Sequence, residues 1–217
     1  MLIFPGYQIL AKIYESSNSI VYRARRELDN LPVILKILKP DYPTSAELAR
    51  YKQEYEITRS LQIDGVVRAY DLQKYQDTLV MFLEDFGGES LAILLEESKF
   101  TLSESLFLAI QITEILNQIH AANIVHKDIN PSNIIFNRET KQVKIIDFGI
   151  FTLFGHKNTS IKNPNLLEGT LAYLSPEQTG RMNRTLDYRT DFYSLGATFY
   201  QLLTHQLPFA TTTDALE

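Results

Sequence analysis

The sequence contains no cysteine and no tryptophan among its 217 residues. Without cysteine the chain cannot form disulfides, thiolate nucleophiles or cysteine-ligated metal sites, and it fits a reducing compartment, so we expect a cytoplasmic protein. Its apolar runs stay short of the roughly 20 residues that cross a bilayer, so we expect no membrane segment. Its 21 lysine and arginine residues are outnumbered by 26 acidic residues. Because no long basic run is present either, we expect no nucleic acid as a partner.

The first part of the chain has the pattern of short strands interrupted by one helix. Thr44 precedes Glu47 by three residues, the spacing of a capping box, and apolar residues then recur at helical intervals to about residue 62. The pair Gly87 and Gly88 predicts a boundary after the last strand. The predicted strands, rich in β-branched and aromatic residues, are YQILAKI, SIVYRARR, PVILKIL and TLVMFL.

The remainder of the chain has a mainly helical pattern. A second capping box, Thr101 with Glu104, begins a long apolar helix for which Asn123 is the predicted C-cap. Two short apolar runs, NIIF and VKIIDFG, predict a β-ribbon, and a polar stretch without apolar periodicity follows them. The last predicted helix, DFYSLGATFYQLLTHQ, is apolar on nearly every side, a pattern typical of a helix in a core that covers both of its faces.

Three motifs carry residues suited to phosphoryl transfer. The segment HKDINPSN spans residues 126–133, KIIDFG contains Asp147, and SPE ends at Glu177. Phosphoryl transfer from ATP requires a carboxylate near the acceptor hydroxyl, metal ligands that bridge the phosphates, and positive charge. Asp128 can be that carboxylate, while Asn133 and Asp147 offer the hard oxygen ligands that Mg²⁺ prefers. The close spacing of Asp128 and Asn133 lets one loop serve both acceptor and metal.

These motifs resemble the catalytic core of the protein kinase family, where H-R-D-x-x-x-x-N, D-F-G and A-P-E follow one another in this order. The resemblance runs from about Tyr7 to the end of the chain and implies an α+β, bilobal protein-kinase-like fold. Residues 1–86 would form an antiparallel five-stranded N-lobe with one helix, plus the hinge, and residues 87–217 a mainly helical C-lobe, with ATP between them. The implied activity is Mg²⁺-dependent transfer of the ATP γ-phosphate to serine or threonine of a protein substrate in bacterial signalling.

The segment from residue 169 to residue 209 narrows the resemblance. It is similar to the Ser/Thr-kinase-like module that begins large bacterial, especially cyanobacterial, multidomain signalling proteins. There an ATPase-like region, a GAF sensor and often a histidine kinase region follow, and these would be partners within the same chain. The family has further C-lobe helices beyond the position of Glu217, so we expect a fragment of a longer protein, with a truncated lobe in which one cover of the last predicted helix is missing. Glu177 would pair with an arginine of those later helices.

The resemblance also implies which residues surround the nucleotide. Lys36 matches the strand lysine that holds the α- and β-phosphates, and Glu54, rather than Glu56, matches the helix glutamate that pairs with it. The hinge segment MFLEDFGG would bind the adenine edge through backbone groups near Glu84 and Phe86. The residues expected to pack against adenine are Val21, Ile34 and Ile135.

Several positions depart from the family pattern. The glycines of the phosphate-covering loop are replaced by Tyr14, Ser16 and Ser19. Serine is small and adds a hydroxyl donor, so Ser16 and Ser19 can still cover phosphates; the alternative is a turn with no ligand role. Lys127 replaces an arginine, and Asn130 replaces a lysine that contacts the γ-phosphate and the acceptor.

These departures leave three hypotheses. We favour an active protein kinase, in which the lysine, glutamate, aspartate and asparagine of the implied site are all present. The second hypothesis is a pseudokinase, an ATP-binding scaffold or sensor with little transfer activity. The third is a kinase-like phosphotransferase for small molecules, against which the segment GTLAYLSPE argues because it resembles a platform for peptide substrates.

One further expectation concerns the loop around Asp128. Asp191 matches a buried helix aspartate that accepts backbone N–H groups of the catalytic loop, since a buried carboxylate needs such donors.

Thr159 and Ser160, in the polar stretch, are the best candidates for autophosphorylation. Thr170 is a weaker candidate because its counterpart in the family packs against the catalytic aspartate.

Overall fold

A computed structural model describes residues 4–16, 18–39, 43–153, 170–179 and 186–209. The chain divides into two units, Met1–Gly88 and Glu89–Glu217. In the part of the chain that is described, no helix is both long and apolar enough to cross a membrane.

Where the first unit is described, it contains a five-stranded antiparallel sheet and one helix, as the family resemblance implies. The strands are β1 (Tyr7–Glu15), β2 (Ser19–Arg26), β3 (Pro32–Leu38), β4 (Ala69–Tyr75) and β5 (Thr78–Glu84), and the helix α1 is Ser45–Ser60. Their order across the sheet is β1-β2-β3-β5-β4. The capping box of Thr44 and Glu47 is present at the start of α1, so that prediction is confirmed. The apolar pattern does not predict β4, AYDLQKY, because this strand is largely polar and has no buried residue.

The two faces of this sheet bury different apolar clusters, and the alternation of strand side chains decides which residues join which face. One cluster, which lies away from α1, contains Phe4, Ala24, Val33, Leu35, Ile37, Val80 and Phe82. On the other face Leu38, Leu79 and Met81 pack against Tyr51 and Tyr55 of α1. Lys36 is two residues from Leu38 and pairs with Val21 on one side and Met81 on the other, so it belongs to the face that α1 covers.

The described part of the second unit contains three α-helices and short strands. The helices are α2 (Leu91–Glu97), α3 (Leu102–Ala121) and α4 (Arg189–Thr204), and the strands β6 (Glu89–Ser90), β7 (Ile124–Val125), β8 (Ile134–Asn137), β9 (Gln142–Ile145) and β10 (Thr152–Leu153). The predicted ribbon is confirmed, because β8 pairs with β9 in antiparallel register. The predicted capping box of Thr101 and Glu104 is also confirmed.

Two details of the second unit differ from the sequence predictions, and a third agrees with them. The C-cap of α3 is Ala122 rather than Asn123. Asn123 lies one residue later with φ 61°, in the left-handed region that asparagine tolerates better than most residues. The short helix α2 is not predicted, since its seven residues are too few to establish a helical period. Helix α4 buries Leu195 and Leu202 but leaves Phe192, Tyr200 and Leu203 exposed, so only one of its faces is covered.

Candidate active site

In the first unit, a buried ion pair joins the sheet to α1. The Nζ atom of Lys36 lies 2.7 Å from Oε1 of Glu54, and both side chains are largely buried. Glu56 is exposed, so the structure contains the contact that the sequence favoured. The hydroxyl of Tyr51, also on α1, donates to the backbone oxygen of Lys36. The lysine is therefore held from its side chain and from its main chain by one helix.

In the second unit, the carboxylate of Asp128 is fixed by three N–H donors. Its Oδ1 atom accepts from the backbone N of Thr170 at 2.9 Å and from Nδ2 of Asn130 at 3.0 Å. Its Oδ2 atom accepts from Nδ2 of Asn133 at 2.9 Å. Thr170 thus lies against the aspartate as expected. A carboxylate held in this way has a defined orientation, which a general base needs before it can meet an acceptor hydroxyl.

Asn130 is turned inward rather than toward a substrate. It is only 1% exposed, and its Nδ2 atom also donates to Oγ1 of Thr170 at 3.1 Å. Its Oδ1 atom accepts from the backbone N of Ser132 at 2.8 Å. The neutral amide braces the loop around Asp128, and it does not supply the positive charge that lysine would bring at this position.

The two proposed metal ligands, Asn133 and Asp147, are brought together by the main chain. The backbone N of Ile146 donates to the backbone O of Asn133 at 3.0 Å, which places Asp147 next to Asn133. The amide nitrogen of Asn133 is directed at Asp128, so its Oδ1 atom is the oxygen available for a cation. Asp147 has φ 66°, and its Oδ1 accepts from the backbone N of Gly149 at 3.2 Å.

This donor set fits Mg²⁺, which binds proteins through one or two carboxylate or amide oxygens together with phosphate and water. The described residues contain no cluster of three or more histidine, aspartate or glutamate side chains that could hold a metal. A cation at Asn133 and Asp147 would therefore depend on phosphate oxygens and water for the rest of its coordination shell.

Asp191 holds the loop that carries Asp128. Its carboxylate is fully buried and accepts from the backbone N of His126 at 2.9 Å and of Lys127 at 2.7 Å, so the predicted contacts are present. Nε2 of His120, on α3, lies 2.8 Å from the same carboxylate. His120 is not predicted from the sequence, because nothing in its local pattern distinguishes it from a histidine at the polar end of a helix.

The ring of His126 connects the loop to the strand that leads to Asp147. Its Nδ1 atom accepts from the backbone N of Asp128 at 3.2 Å, so the ring proton lies on Nε2. Nε2 then donates to the backbone O of Ile146 at 3.0 Å. The buried ring of Phe148 packs beside it, with centroids 4.8 Å apart. His126 therefore has a structural role, because both of its ring nitrogens form hydrogen bonds with backbone atoms.

The comparison with protein families decides the identity of the fold. The model of the protein kinase domain matches residues 7–217. The chain belongs to the protein kinase family. A probable serine/threonine-protein kinase of Clostridium perfringens is 32% identical over 205 residues, which cover 94% of this chain and 29% of that protein. Serine/threonine-protein kinase PrkC of Bacillus subtilis is 32% identical over 205 residues, 94% of this chain and 31% of PrkC.

PknL, a serine/threonine-protein kinase of Mycobacterium tuberculosis, is 32% identical over 211 residues, 96% of this chain and 51% of PknL. The kinase chain thus spans under a third of the Clostridium perfringens and Bacillus subtilis proteins and about half of PknL.

The residues of this kinase expected around adenine are distributed over both units. Val21 and Ile34 share the sheet face of Lys36 and are half-buried. Ile135, in β8, is also half-buried. Glu84 ends β5, and its backbone N donates to the backbone O of Arg68 at 2.9 Å. An adenine edge at the hinge would therefore meet the carbonyl of Glu84 rather than its N–H group, together with the backbone of Phe86.

An arginine on β2 holds the hinge segment. Nε of Arg23 lies 2.9 Å from Oδ2 of Asp85, and its Nη2 donates to the backbone O of Gly88 at 3.1 Å. Oδ1 of Asp85 in turn accepts from the backbone N of Gly87, whose φ of 75° favours glycine. The sequence gives no sign of this arrangement, because the arginine and the aspartate lie far apart in the chain.

The loop that replaces the kinase glycines is closed on itself. Oγ of Ser16 accepts from the backbone N of Asn18 at 3.2 Å and of Ser19 at 3.1 Å, and the backbone N of Ser16 donates to the O of Ser19 at 2.9 Å. Tyr14 points outward and is 57% exposed. The amides that could cover a phosphate are therefore directed at the hydroxyl of Ser16.

The base of this loop is fixed by charge. Lys12 donates to Oε2 of Glu15 at 2.7 Å, and Lys39 donates to its Oε1. The hydrogen bond from Lys12, followed by that from Lys39, lowers the pKa of Glu15 to about 2. The Glu15 side chain is therefore ionised throughout the physiological range.

Replacing Ser16 with alanine is expected to lower the KM for ATP by roughly threefold, because the amides of Asn18 and Ser19 would lose a competing acceptor. Steady-state kinetics at saturating acceptor would measure this, with Ser60→Ala, a substitution of an exposed serine at the end of α1, as the control. An unchanged KM would favour a turn with no ligand role. A raised KM would mean that the Ser16 hydroxyl itself contributes to phosphate binding.

Glu177 has a different partner from the one expected. Its Oε1 atom accepts from Oγ1 of Thr190, at the start of α4, at 2.9 Å. Among the described residues the predicted arginine partner is replaced by a hydroxyl donor on α4, so Glu177 is not left without a hydrogen bond. The predicted candidates for autophosphorylation, Thr159 and Ser160, lie outside the described residues.

Proposed function

We propose that this kinase chain transfers the γ-phosphate of ATP to serine or threonine hydroxyls of protein substrates. The observation that carries the proposal is the loop from His126 to Asn133, in which Asp128 is oriented by the amide of Asn133 and by the backbone of Thr170. The curated relatives are named serine/threonine-protein kinases, which supports the same activity.

In this proposal each residue of the site has one part. Lys36, extended by its pair with Glu54, holds the α- and β-phosphates. Asn133 and Asp147 would hold Mg²⁺, which when bound would neutralise charge on the phosphates. Asp128 accepts the proton of the acceptor hydroxyl while the hydroxyl oxygen bonds to the γ-phosphorus. The bond from that phosphorus to the bridging oxygen breaks, and ADP leaves with that oxygen. The products are a phosphorylated side chain and ADP.

A pseudokinase remains the second candidate, and two observations favour it. Asn130 is buried against Asp128 and leaves the transfer site without a lysine. The amides of Asn18 and Ser19 are occupied by the hydroxyl of Ser16. Both observations reduce the positive charge and the donors available to the γ-phosphate, which stabilise its transfer.

Transfer of radiolabelled γ-phosphate from Mg-ATP, into the protein itself or a generic protein acceptor, separates these candidates. We expect incorporation that is lost with EDTA and that hydrolysis recovers as phosphoserine or phosphothreonine. A thermal shift with Mg-ATP but no incorporation would establish the pseudokinase instead. If Mg-ATP neither stabilises the protein nor labels an acceptor, both hypotheses fail.

We further propose that the chain acts in bacterial signalling, in the cytoplasm, alongside ATPase-like, GAF or histidine kinase regions of one polypeptide. The support is the similarity of residues 169–209 to modules of that kind. Reading the gene beyond the codon for Glu217 tests this directly, since a different neighbouring domain would contradict it.

A further inference from the structure

The residue before Asp128 adopts a backbone conformation that needs support. Lys127 has φ 70°, in the left-handed region that side chains other than glycine rarely adopt. Such a conformation persists only where its surroundings hold it in place. Both main-chain polar atoms of Lys127 are held by side chains from later in the chain. Its N–H donates to Oδ1 of Asp191 at 2.7 Å, and its C=O accepts from Nε2 of Gln178 at 2.8 Å.

The other end of the Gln178 amide holds a different segment. Its Oε1 atom accepts from the backbone N and from Oγ of Ser175, both at 3.1 Å. Ser175 is fully buried, and the short helical turn Pro176–Thr179 that carries Gln178 begins directly after it. The side-chain amide of Gln178 therefore contacts both Ser175 and Lys127, and Lys127 lies 51 residues before Gln178 in the chain.

The glutamine amide can make both contacts because it carries an acceptor and a donor on the same planar group. A glutamate would keep the acceptor for Ser175 but would face the carbonyl of Lys127 with an oxygen. A leucine would make neither contact. The segment from Thr170 to Gln178 also meets the loop at a second point, since the N–H of Thr170 donates to Asp128.

We propose that Gln178 is a positioning residue that keeps the segment from Thr170 to Gln178 in register with the carboxylate of Asp128. The inference rests on the proposed function, in which this segment presents the hydroxyl of a protein acceptor. Gln178 acts through Lys127, so it fixes where Asp128 lies relative to that hydroxyl. ATP binding and the reaction of ATP with water do not require this register.

The test measures how ATP consumption divides between a peptide acceptor and water, using the purified protein with Mg-ATP and a serine-containing peptide. For Gln178→Leu and Gln178→Glu we expect the ratio of peptide phosphorylation to ATP hydrolysis by water to fall roughly tenfold, since a misplacement of about 1 Å can cost up to about 10²-fold. The KM for ATP should stay at the parent value. Gln118→Leu, at an exposed glutamine of α3, is the matched control.

Gln178→Asn covers the case in which the leucine variant does not fold, because it keeps the amide but is one methylene too short to reach both partners. The same fall in the ratio is expected for it. An unchanged ratio in folded variants, with peptide transfer and ATP hydrolysis falling in parallel, would show a purely structural role and overturn the inference. A parent that labels no peptide would overturn the proposed function itself, so the two failures are distinguishable.

Discussion

Replacing Asp128 with asparagine is expected to lower phosphoryl transfer by about 10²-fold or more, because general-base and positioning contributions are of that order. The carboxylate that would accept the hydroxyl proton is lost. The substitution also disturbs the loop, since Asp128 accepts hydrogen bonds from Asn130, Asn133 and Thr170. An asparagine offers one oxygen to these donors and turns its own NH₂ group against one of them.

Single-turnover transfer to a peptide, at saturating Mg-ATP, measures this loss most directly. The matched control is Asp64→Asn, which makes the same chemical change at a fully exposed aspartate. The Mg-ATP thermal shift should stay close to the parental value in both variants, whereas the melting temperature of Asp128→Asn should fall because one donor of the loop loses its acceptor. An Asp128→Asn protein that transfers phosphate at the parental rate would show that Asp128 is not the general base.

Replacing Asp147 with asparagine is expected to abolish the Mg²⁺-dependent part of nucleotide binding, because it removes the carboxylate from the proposed metal site. Asparagine is the informative substitution here. It tolerates the left-handed backbone at this position better than alanine does, and it keeps an oxygen for the N–H of Gly149. A loss of binding can then be assigned to the charge rather than to strain.

The size of the effect follows from linkage between binding and unfolding. Mg-ATP at 100 times its Kd stabilises the parent by about 2.7 kcal/mol, and a 100-fold weaker Kd leaves about 0.4 kcal/mol. Differential scanning fluorimetry with and without Mg²⁺ would show the difference as a loss of most of the thermal shift. EDTA should bring the parent to the level of the variant. A full Mg²⁺-dependent shift in Asp147→Asn would exclude this residue as a metal ligand.

The features that the sequence predicts best depend on residues close together in the chain. The capping boxes at Thr44 and Thr101 are present because each needs only a hydroxyl and a glutamate three residues apart. Likewise, the loop around Asp128 brings Asn133 to it within a few residues. Local patterns fail where side chains are polar on both faces, as in β4, or where an element is too short, as in α2.

The features that the sequence could not predict join distant segments. Periodicity does not choose between Glu54 and Glu56 as the partner of Lys36; the family resemblance favoured Glu54, and the structure contains that pair. The contacts of Arg23 with the hinge and of Gln178 with Lys127 depend on how separate elements pack. Ordinary polar residues at these positions give no local signal, so only the three-dimensional arrangement identifies them.

The hydrogen bonds of Asp191 to the catalytic loop also affect how the second unit unfolds. Loops usually open to solvent by small local fluctuations that cost little of the total stability. Here the amide hydrogens of His126 and Lys127 point at a fully buried carboxylate on α4. Releasing the loop alone would remove both backbone donors and leave the buried carboxylate with His120 as its polar partner, which is expensive. The loop and α4 therefore unfold together, and the segment that carries Asp128 belongs to the same cooperative unit as the core helix behind it.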